Sequence, residues 1–321
     1  MTESLVAVAV AAFVVTLALT PVAIRVARGT GIMDRPGELK EQSFAVPYLG
    51  GAAVFAGLSV GVLGSRPSVL IPLVIALALG VADDRLSLPP WVRLVGEVAV
   101  GIAVVATCPV HAPGWLSAMT LIPLTVLLVN GVNLMDGLDM LAGGVTAVAA
   151  IGFAIVTHGS ARQMAVALAA ALAGFLYFNR PPAKIYLGDG GSYLLGTALT
   201  ILVAASWAPQ VPIETGVAVL ALVALPSAEV AFAVVRRLRG RRSLMAGDRG
   251  HPYDRLVARG WERPTASAAY IATEGLLMVA VVVVARSSLV IAVAVDIAAA
   301  IVLTIVAGAV GALTPDTEVS P

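Results

Sequence analysis

Two amides and two carboxylates recur at every third position in the stretch NGVNLMDGLDMLAGG, residues 130–144. At this spacing Asn130, Asn133, Asp136 and Asp139 are predicted to share one polar face of a helix end or a tight turn. Apolar runs flank the stretch, and it contains no Lys or Arg. Carboxylates at membrane depth are costly unless a cation or a water-filled cavity compensates. The pattern therefore favours a polar ligand site, with a solvated acidic loop as the alternative.

Two further acidic stretches lie at the ends of apolar runs. Asp83 and Asp84 are adjacent, and Asp189 lies between glycines in KIYLGDGGS, residues 184–192. Adjacent carboxylates repel each other, and facing phosphates they are typical of a Mg²⁺ site built from a few protein oxygens and substrate phosphates. Glycines beside Asp189 leave its carboxylate and nearby amides open to an oxyanion or a metal. The alternatives are a solvated helix end and a turn capped by an aspartate.

Basic residues concentrate in two polar stretches. Residues 34–51 combine Arg and Lys with prolines and paired glycines, which suits a tightly turned loop. Residues 236–264 hold nine arginines, and the segment around His251 includes Arg249 and Arg255. Guanidinium groups bind phosphate through paired hydrogen bonds, so this segment is predicted to contact phosphates. The alternative is an ordinary basic loop beside a membrane.

Composition sets the class of protein. Of the 321 residues 59% are hydrophobic and 12% charged, whereas soluble domains carry about a quarter charged residues. Mean hydropathy is +0.97, so we predict an integral membrane protein. The net charge of +1 suggests no nucleic-acid partner, and a single cysteine excludes an intrachain disulfide. The first apolar run, 5–24, is predicted to be a retained span rather than a cleaved signal peptide.

Apolar runs long enough to cross a bilayer number about eleven. The predicted spans cover residues 4–24, 48–64, 68–82, 91–108, 116–132, 141–157, 163–179, 191–207, 212–235, 265–285 and 288–312. This pattern predicts an all-α, polytopic membrane protein with about 11 transmembrane helices. We expect one transmembrane catalytic domain over residues 1–313, followed by a short polar tail over residues 314–321.

Charge in the connecting loops predicts the orientation. With eleven spans, only Arg66, Arg162 and Arg286 of the 20 basic residues fall on one side. The opposite, cytoplasmic side then contains loops 25–47, 83–91, 130–140, 180–190 and 236–264, which places the N-terminus outside. Nearly all the acidic residues outside the spans lie on this side too. Such asymmetry favours a one-sided enzyme over an alternating-access transporter, whose charges usually lie near the midplane.

The five cytoplasmic stretches, taken in order, carry a family pattern. They read DRPxxLK…PxxGG, ADD, NxxNLMDGLDMLAGG, YLGDGGSYLLG and DRGHPYDRL between Asp34 and about Leu256. This pattern resembles the polyprenyl-phosphate N-acetylhexosamine-1-phosphate transferase family, glycosyltransferase family 4. Eleven spans with the N-terminus outside are similar to its GlcNAc-1-phosphate branch rather than to the ten-span phospho-MurNAc-pentapeptide branch.

The resemblance implies helices around a cytoplasm-facing cleft in the plasma membrane. It implies transfer of a sugar-1-phosphate from a UDP-(N-acetyl)hexosamine or related UDP-sugar to polyprenyl phosphate, with release of UMP. The product would serve cell-wall or surface polysaccharide synthesis. Expected partners are these two substrates and the membrane lipids, and a homodimer is left open. Two other functions also stay open, a membrane transporter and a catalytically retired lipid-binding paralogue.

The resemblance also implies individual roles. Mg²⁺, for which Mn²⁺ could substitute, would be bound by Asp189 and Asn133. Catalytic roles are implied for four residues: Asp83, Asp84, Asp136 and His251. Binding of UDP-sugar is implied for Lys40 near the diphosphate, for Leu138 and Asp139 at the uracil, and for Tyr186 stacked on the uracil. The residue pattern adds three ligand-binding candidates, namely Asn130, Arg249 and Arg255.

Departures from the family pattern concern the sugar and diphosphate. The usual HxHH is here His251-Pro252-Tyr253-Asp254, RKxH is replaced by LKEQ, and Met140 replaces a glycine. The identity of the sugar therefore does not follow, and Asp254 is expected to meet sugar hydroxyls. A phosphate monoester has a second pKa of about 6. The lipid phosphate is thus mostly deprotonated at neutral pH, and we expect Asp83 to place ligands rather than act as a base.

Overall fold

The computed structural model describes residues 2–34, 45–110, 112–245 and 249–315. Within them the chain is α-helical apart from one two-stranded sheet, so the all-α class is confirmed. In chain order the elements are α1 (Thr2–Thr30), β1 (Met33–Asp34), β2 (Val46–Pro47), α2 (Gly50–Leu63), α3 (Leu70–Leu86), α4 (Pro90–Thr107), α5 (Gly114–Met135), α6 (Leu141–Val156), α7 (Gly159–Asn179), α8 (Gly188–Ser206), α9 (Ile213–Ala218), α10 (Ala224–Arg239), α11 (Pro252–Ala258), α12 (Arg263–Val284) and α13 (Leu289–Ala309). Two 3₁₀ helices, Pro67–Val69 and Val219–Val223, complete the described elements.

Every predicted span falls on a helix or on a continuous helical run. Seven of the described helical segments are long and apolar enough to cross a membrane: α1, α4, α5, α7, the run 213–239, α12 and α13. Helices α2 and α6 are shorter and apolar. The polytopic membrane class is therefore confirmed, while the number of eleven crossings stays a prediction.

Helix α8 lies at the centre of the bundle, with nearly every residue buried. It packs closely on α3 and α5, its main neighbours together with α2. A Cβ placed on Gly80 of α3 would lie 2.3 Å from the carbonyl oxygen of Asp189, and one on Gly196 would lie 2.5 Å from Cα of Val129 in α5. Because both positions are glycine, the backbones of α3 and α5 can lie directly against that of α8. This close packing brings the acidic ends of the three helices together.

The ninth predicted span is a run of three pieces rather than one helix. Helix α9 is followed by the 3₁₀ turn Val219–Val223 and then by α10. Pro226 has no N–H to bond the carbonyl of residue 222, which explains why the regular α-helical ladder breaks there. Asp296 of α13, an acid in a predicted span, lies near the backbone of Ala221 in this turn.

A small antiparallel hairpin follows the C-terminal end of α1. Strands β1 and β2 pair Met33 with Pro47 and Asp34 with Val46. The Tyr48 hydroxyl donates a 2.8 Å hydrogen bond to Oδ1 of Asp34. The predicted loop 25–47 thus contains a hairpin at its base, and its residues 35–44 lie outside the described part of the chain.

Candidate active site

A cavity of about 1060 Å³ opens where α3, α5 and α8 bring their acidic ends together. Among the described residues, six with a carboxyl group line it: Asp34, Asp83, Asp84, Asp136, Asp139 and Asp189. Three described residues with a guanidinium group line it as well: Arg93, Arg249 and Arg263. The described acids in the lining outnumber the described cations, which favours cationic or metal-bound ligands.

Nine of the thirteen predicted site residues line this cavity. They are Asp83, Asp84, Asn133, Asp136, Leu138, Asp139, Tyr186, Asp189 and Arg249. Lys40 lies outside the described residues, so its predicted role stays a prediction. Asn130, His251 and Arg255 are not among the lining residues.

Asp189 and Asn133 meet across the bundle. Nδ2 of Asn133, in the last turn of α5, donates a 2.6 Å hydrogen bond to Oδ1 of Asp189, although the residues are 56 positions apart. Asp189 lies in the first turn of α8, where the backbone amides favour negative charge. The two residues predicted to bind a metal therefore share one position at the start of the central helix.

Asp84 caps the central helix from a different helix. Its Oδ1 accepts from the Asp189 N–H at 3.0 Å, and its Oδ2 accepts from the Gly190 N–H at 3.2 Å. These amides belong to the first turn of α8, which has no side-chain cap of its own. Asp84 thus holds the backbone that carries Asp189, a role that the sequence did not indicate.

The carboxylate of Asp83 is fully engaged. Its Oδ1 accepts from the Leu88 N–H at 2.9 Å, and its Oδ2 accepts from the Tyr193 hydroxyl at 2.8 Å and from Nη1 of Arg93 at 3.3 Å. Asp83 is 4% exposed, so water does not compete freely for these bonds. With its oxygens held by three donors, Asp83 is suited to orient Arg93 towards the cavity.

The loop between α5 and α6 carries two acids in different surroundings. Ser192 Oγ donates to Oδ2 of Asp136 at 3.3 Å, and burial together with the nearby Asp189 charge raises the pKa of Asp136 well above its usual value. Asp139 accepts from the Ala183 N–H at 2.9 Å, and burial raises its pKa as well. Both acids are therefore held by neighbours and favour a partner of positive charge.

Met140 takes a backbone conformation that favours glycine. Its φ is +65°, in the left-handed region, and its N–H donates a 2.8 Å hydrogen bond to Oδ1 of Asn179. Because a Cβ is disfavoured there, the glycine of the family pattern is understandable, and the methionine of this chain bears some strain. The position shapes the turn after Asp139 and adds no chemical group to the cavity.

Part of the cavity lining is apolar or aromatic, and it includes Tyr186, Leu138, the Pro181–Pro182 pair and Ala183. Burial raises the pKa of Tyr186 to about 12, so its phenol is neutral and can donate a hydrogen bond or stack on a ring. Arg263 lines the cavity as well. This combination suits an aromatic base carrying polar edges.

Asn130 lies away from the cavity, unlike the other members of its repeat. Its Nδ2 donates to Oε2 of Glu97 at 2.7 Å and to the Val126 carbonyl at 2.8 Å. Since α5 continues to Met135, each step of three residues falls about 60° short of a full turn. The predicted single polar face therefore rotates, and Asn130 points to α4 while Asn133 points to Asp189.

His251 contacts Glu229 inside the bundle instead of lining the cavity, and Asp254 and Arg255 do not line the cavity either. Nδ1 of His251 lies 2.8 Å from Oε2 of Glu229. Oδ2 of Asp254 accepts from the His251 N–H at 3.3 Å, and burial raises the pKa of Asp254 to about 6. Arg255 donates to the Thr314 carbonyl at 3.4 Å. Asp254 is not among the residues that line the cavity and bonds the start of α11, so its contact with sugar hydroxyls stays a prediction.

Arg93 and Arg263 line the cavity but were missing from the predicted site. Arg93 follows the Pro89–Pro90 pair, and Arg263 begins α12. Their basic character assigned both to the cytoplasmic side, yet no motif around them pointed to a ligand. Only the packing of α4 and α12 brings them to the acids.

The donor set fits a magnesium ion that is shared with a substrate. Among the described residues, no group of three or more His, Cys, Asp or Glu side chains could hold a metal ion. Mg²⁺ usually binds through one or two carboxylates, with substrate phosphates and water completing its shell. Asp189 and the amide of Asn133 offer such a partial oxygen set in a cavity with excess negative charge.

Comparison with known proteins places this arrangement in a family. The glycosyl transferase family 4 model matches residues 67–206, which include Asp83, Asn133, Asp136 and Asp189. The probable undecaprenyl-phosphate N-acetylglucosaminyl 1-phosphate transferase of Bacillus subtilis is 30% identical over 282 residues, covering 78% of each chain. The decaprenyl-phosphate N-acetylglucosaminephosphotransferase of Mycobacterium tuberculosis (strain ATCC 25618 / H37Rv) is 29% identical, over 78% of this chain and 74% of its own. The phospho-N-acetylmuramoyl-pentapeptide-transferase of Thermobifida fusca is 27% identical, over 78% and 88% respectively. The identity and the shared coverage show that this chain belongs to glycosyl transferase family 4.

Proposed function

We propose that this protein transfers a sugar-1-phosphate from a UDP-(N-acetyl)hexosamine to polyprenyl phosphate. UMP is released, and the polyprenyl-diphosphate-sugar product serves cell-wall or surface polysaccharide synthesis. The names of the relatives support this reaction class, since two of them name a polyprenyl phosphate together with an N-acetylglucosamine phosphate, and the third names a phospho-N-acetylmuramoyl-pentapeptide. The observation that carries the proposal is the cavity in which Asp189, Asn133 and three arginines face one space.

The reaction joins two anions. An oxygen of the polyprenyl phosphate attacks the phosphorus that carries the sugar, and the bond from that phosphorus to the bridging oxygen breaks. The bridging oxygen leaves with UMP. Arg93, Arg249 and Arg263 supply positive charge, which reduces the repulsion and stabilises the charge on the transferring phosphoryl group.

Removal of a proton from the lipid phosphate contributes little. Its second pKa is about 6, so most of it is already dianionic at neutral pH. The three hydrogen bonds to Asp83 support the same conclusion, since they commit its oxygens to Leu88, Tyr193 and Arg93. Asp83 therefore orients Arg93, and Asp84 orients Asp189.

A divalent cation completes the proposed site. Mg²⁺, or Mn²⁺ in its place, neutralises phosphate charge when bound. Asp189 and Asn133 would hold it, and Asp136 lies close by. Tyr186, Leu138 and Asp139, which all line the cavity, would receive the uracil. The Lys40 role near the diphosphate remains part of the proposal.

The proposed orientation puts the cavity on the cytoplasmic side of the plasma membrane and the N-terminus outside. The distribution of basic residues supports it, since Arg66, Arg162 and Arg286 alone lie in the opposite loops. Residues 1–313 would form a single catalytic domain. The cavity acids and arginines then face the compartment from which UDP-sugars come.

The test measures UMP released by purified protein in detergent or nanodiscs. Polyprenyl phosphate is supplied with a panel of UDP-sugars, with Mg²⁺, with Mn²⁺ or with a chelator, and reactions without lipid phosphate control for hydrolysis. We expect lipid-dependent and cation-dependent UMP with at least one UDP-sugar. Cation-driven transport without UMP would support a transporter, and lipid binding without UMP from any sugar would support a retired paralogue; either result would refute the proposal.

A further inference from the structure

A short piece of the segment between α10 and α12 enters the helix bundle. Gly250, His251, Pro252 and Tyr253 are buried, whereas Arg249 before them is exposed. We call residues 250–253 the wedge. Arg249, the residue directly before the wedge, lines the cavity. The position of the wedge therefore decides where Arg249 lies.

A buried glutamate contacts the wedge from inside the bundle. Oε2 of Glu229, in α10, lies 2.8 Å from Nδ1 of His251, and Oε1 of the same carboxylate accepts a hydrogen bond from the Tyr270 hydroxyl of α12. Glu229 is 2% and His251 3% exposed. The His251 ring stacks on Tyr253 with centroids 5.4 Å apart and planes 7° apart. Two helices and the wedge thus meet at one carboxylate.

The wedge also contacts the acidic loop between α5 and α6. The Tyr253 hydroxyl donates a 2.8 Å hydrogen bond to the Leu134 carbonyl at the end of α5. A Cβ placed on Gly137 would lie 2.4 Å from the Tyr253 hydroxyl oxygen, so the ring lies directly on the turn that follows Asp136. Tyr253 therefore anchors the far end of the wedge to α5, while Arg249 lies directly before its start.

Buried polar contacts contribute little net stability to a loop. Burying ionisable partners often stabilises a protein less than well-packed apolar side chains of similar volume would. A carboxylate with two directional partners, however, fixes angles as well as distance. A carboxylate at this position, with two directional partners, thus favours a role in placement.

We propose that Glu229 and Tyr270 act as positioning residues that hold His251, and through it the wedge, so that Arg249 stays at the cavity. The inference rests on the proposed function for its kinetic readout. His251 acts from inside the bundle in this proposal and needs no contact with substrate. In this proposal Arg249 would bind the diphosphate of the UDP-sugar.

The first experiment reports on the wedge without requiring turnover. Hydrogen–deuterium exchange is measured for residues 249–260 in wild type, Tyr270→Phe and Glu229→Gln, with Tyr177→Phe and Glu214→Gln as matched controls away from the cavity. Tyr270→Phe removes one hydroxyl, so it keeps the packing and is expected to fold. We expect faster exchange at 249–260 in both test variants, unchanged exchange in α5 and α8, and no change in the controls.

The second experiment is a double-mutant cycle for kcat/KM of the UDP-sugar. We expect Glu229→Gln and Tyr270→Phe each to lower kcat/KM by roughly 10-fold to 100-fold, because loss of alignment far from the chemistry has effects of that order. In an Arg249→Ala background the same changes should have almost no further effect, since they act through Arg249. A purely structural role predicts instead that the losses multiply.

The outcomes separate the two proposals. A wild-type protein that releases no UMP would refute the proposed function, and the exchange experiment would still test the wedge. Unchanged exchange at residues 249–260 in both Glu229→Gln and Tyr270→Phe would overturn the positioning role. Multiplicative losses in the Arg249→Ala background would overturn it as well, by showing that Glu229 does not act through Arg249.

Discussion

Substitutions of Asp84 test whether this residue caps the start of α8 or takes part directly in the reaction. Its two carboxylate oxygens accept from the first-turn amides of Asp189 and Gly190 at 3.0 and 3.2 Å. Asp84→Asn keeps one oxygen and therefore one of the two bonds, whereas Asp84→Ala keeps neither. Asn also relieves the repulsion between the neighbouring carboxylates of Asp84 and Asp189. We therefore expect a graded loss of stability, small for Asn and larger for Ala.

The magnitude follows from the two bonds. Hydrogen bonds to a charged acceptor contribute about 1.5–3 kcal/mol each. The lower end applies because burial and the nearby Asp189 charge raise the pKa of Asp84 to about 7, so its carboxyl group is only partly ionised at neutral pH. Asp84→Ala should lower the free energy of unfolding by about 3 kcal/mol and Asp84→Asn by about 1 kcal/mol. At roughly 2 °C per kcal/mol for a chain of this size, the Tm should fall by about 6 °C and about 2 °C.

The assay follows intrinsic fluorescence on heating in detergent, in parallel with UMP formation. Glu214→Ala serves as a control for removal of an acid away from the cavity. We expect UMP formation to fall in the same order as Tm, because Asp189 moves when its helix start loosens. A wild-type Tm in Asp84→Ala together with loss of UMP formation would refute the reasoning and assign Asp84 a direct contact with substrate or cation.

Three further predictions follow from the same geometry. Asp189→Asn should abolish Mg²⁺-dependent UMP formation at saturating Mg²⁺ with a near-native Tm, and wild-type turnover would contradict its assignment. In a Cys108→Ser background, cysteines at Ser160 and Ser243 should react with an impermeant maleimide from opposite sides, and labelling of Ser243 in intact cells would overturn the orientation. Since the folded-state pKa of Asp254 is raised from 3.8 to about 6, folded protein holds a proton that unfolded protein has lost, and stability falls as pH rises from about 4 to about 6. Asp254→Asn should remove that fall. The Tm of the variant minus the Tm of wild type should therefore increase as pH rises from about 4 to about 6 and stay constant at higher pH. A difference that is constant at every pH would contradict the burial of Asp254.

The membrane class and the helix positions could be predicted from sequence because hydrophobicity is additive along the chain. A run of about 20 apolar residues predicts a helix whatever it packs against. The ninth span was predicted in place, but its internal 3₁₀ turn was not, because a single Pro226 leaves an apolar average unchanged. The short helix α11 was missed for the related reason that seven residues carry too little pattern.

The acids of the site were identifiable from sequence because carboxylates between apolar runs need compensation wherever they lie. Five stretches of the right residue types also carried the family resemblance that the comparisons confirmed. Sequence alone thus determined the class of protein, the positions of its helices, and the motifs that contain Asp83, Asp136 and Asp189.

Tertiary structure decided what each of these groups does. The bonds from Asp84 to Asp189 and from Tyr193 to Asp83 join positions 105 and 110 residues apart, and they depend on how α3 and α8 pack. Spacing along the sequence does not show that Asn130 faces α4, because the direction of its side chain depends on how far α5 extends as a regular helix. Likewise the motif containing His251 pointed to phosphate, while packing buries its ring against Glu229. Contacts between distant residues arise from the assembled bundle, and no local pattern records them.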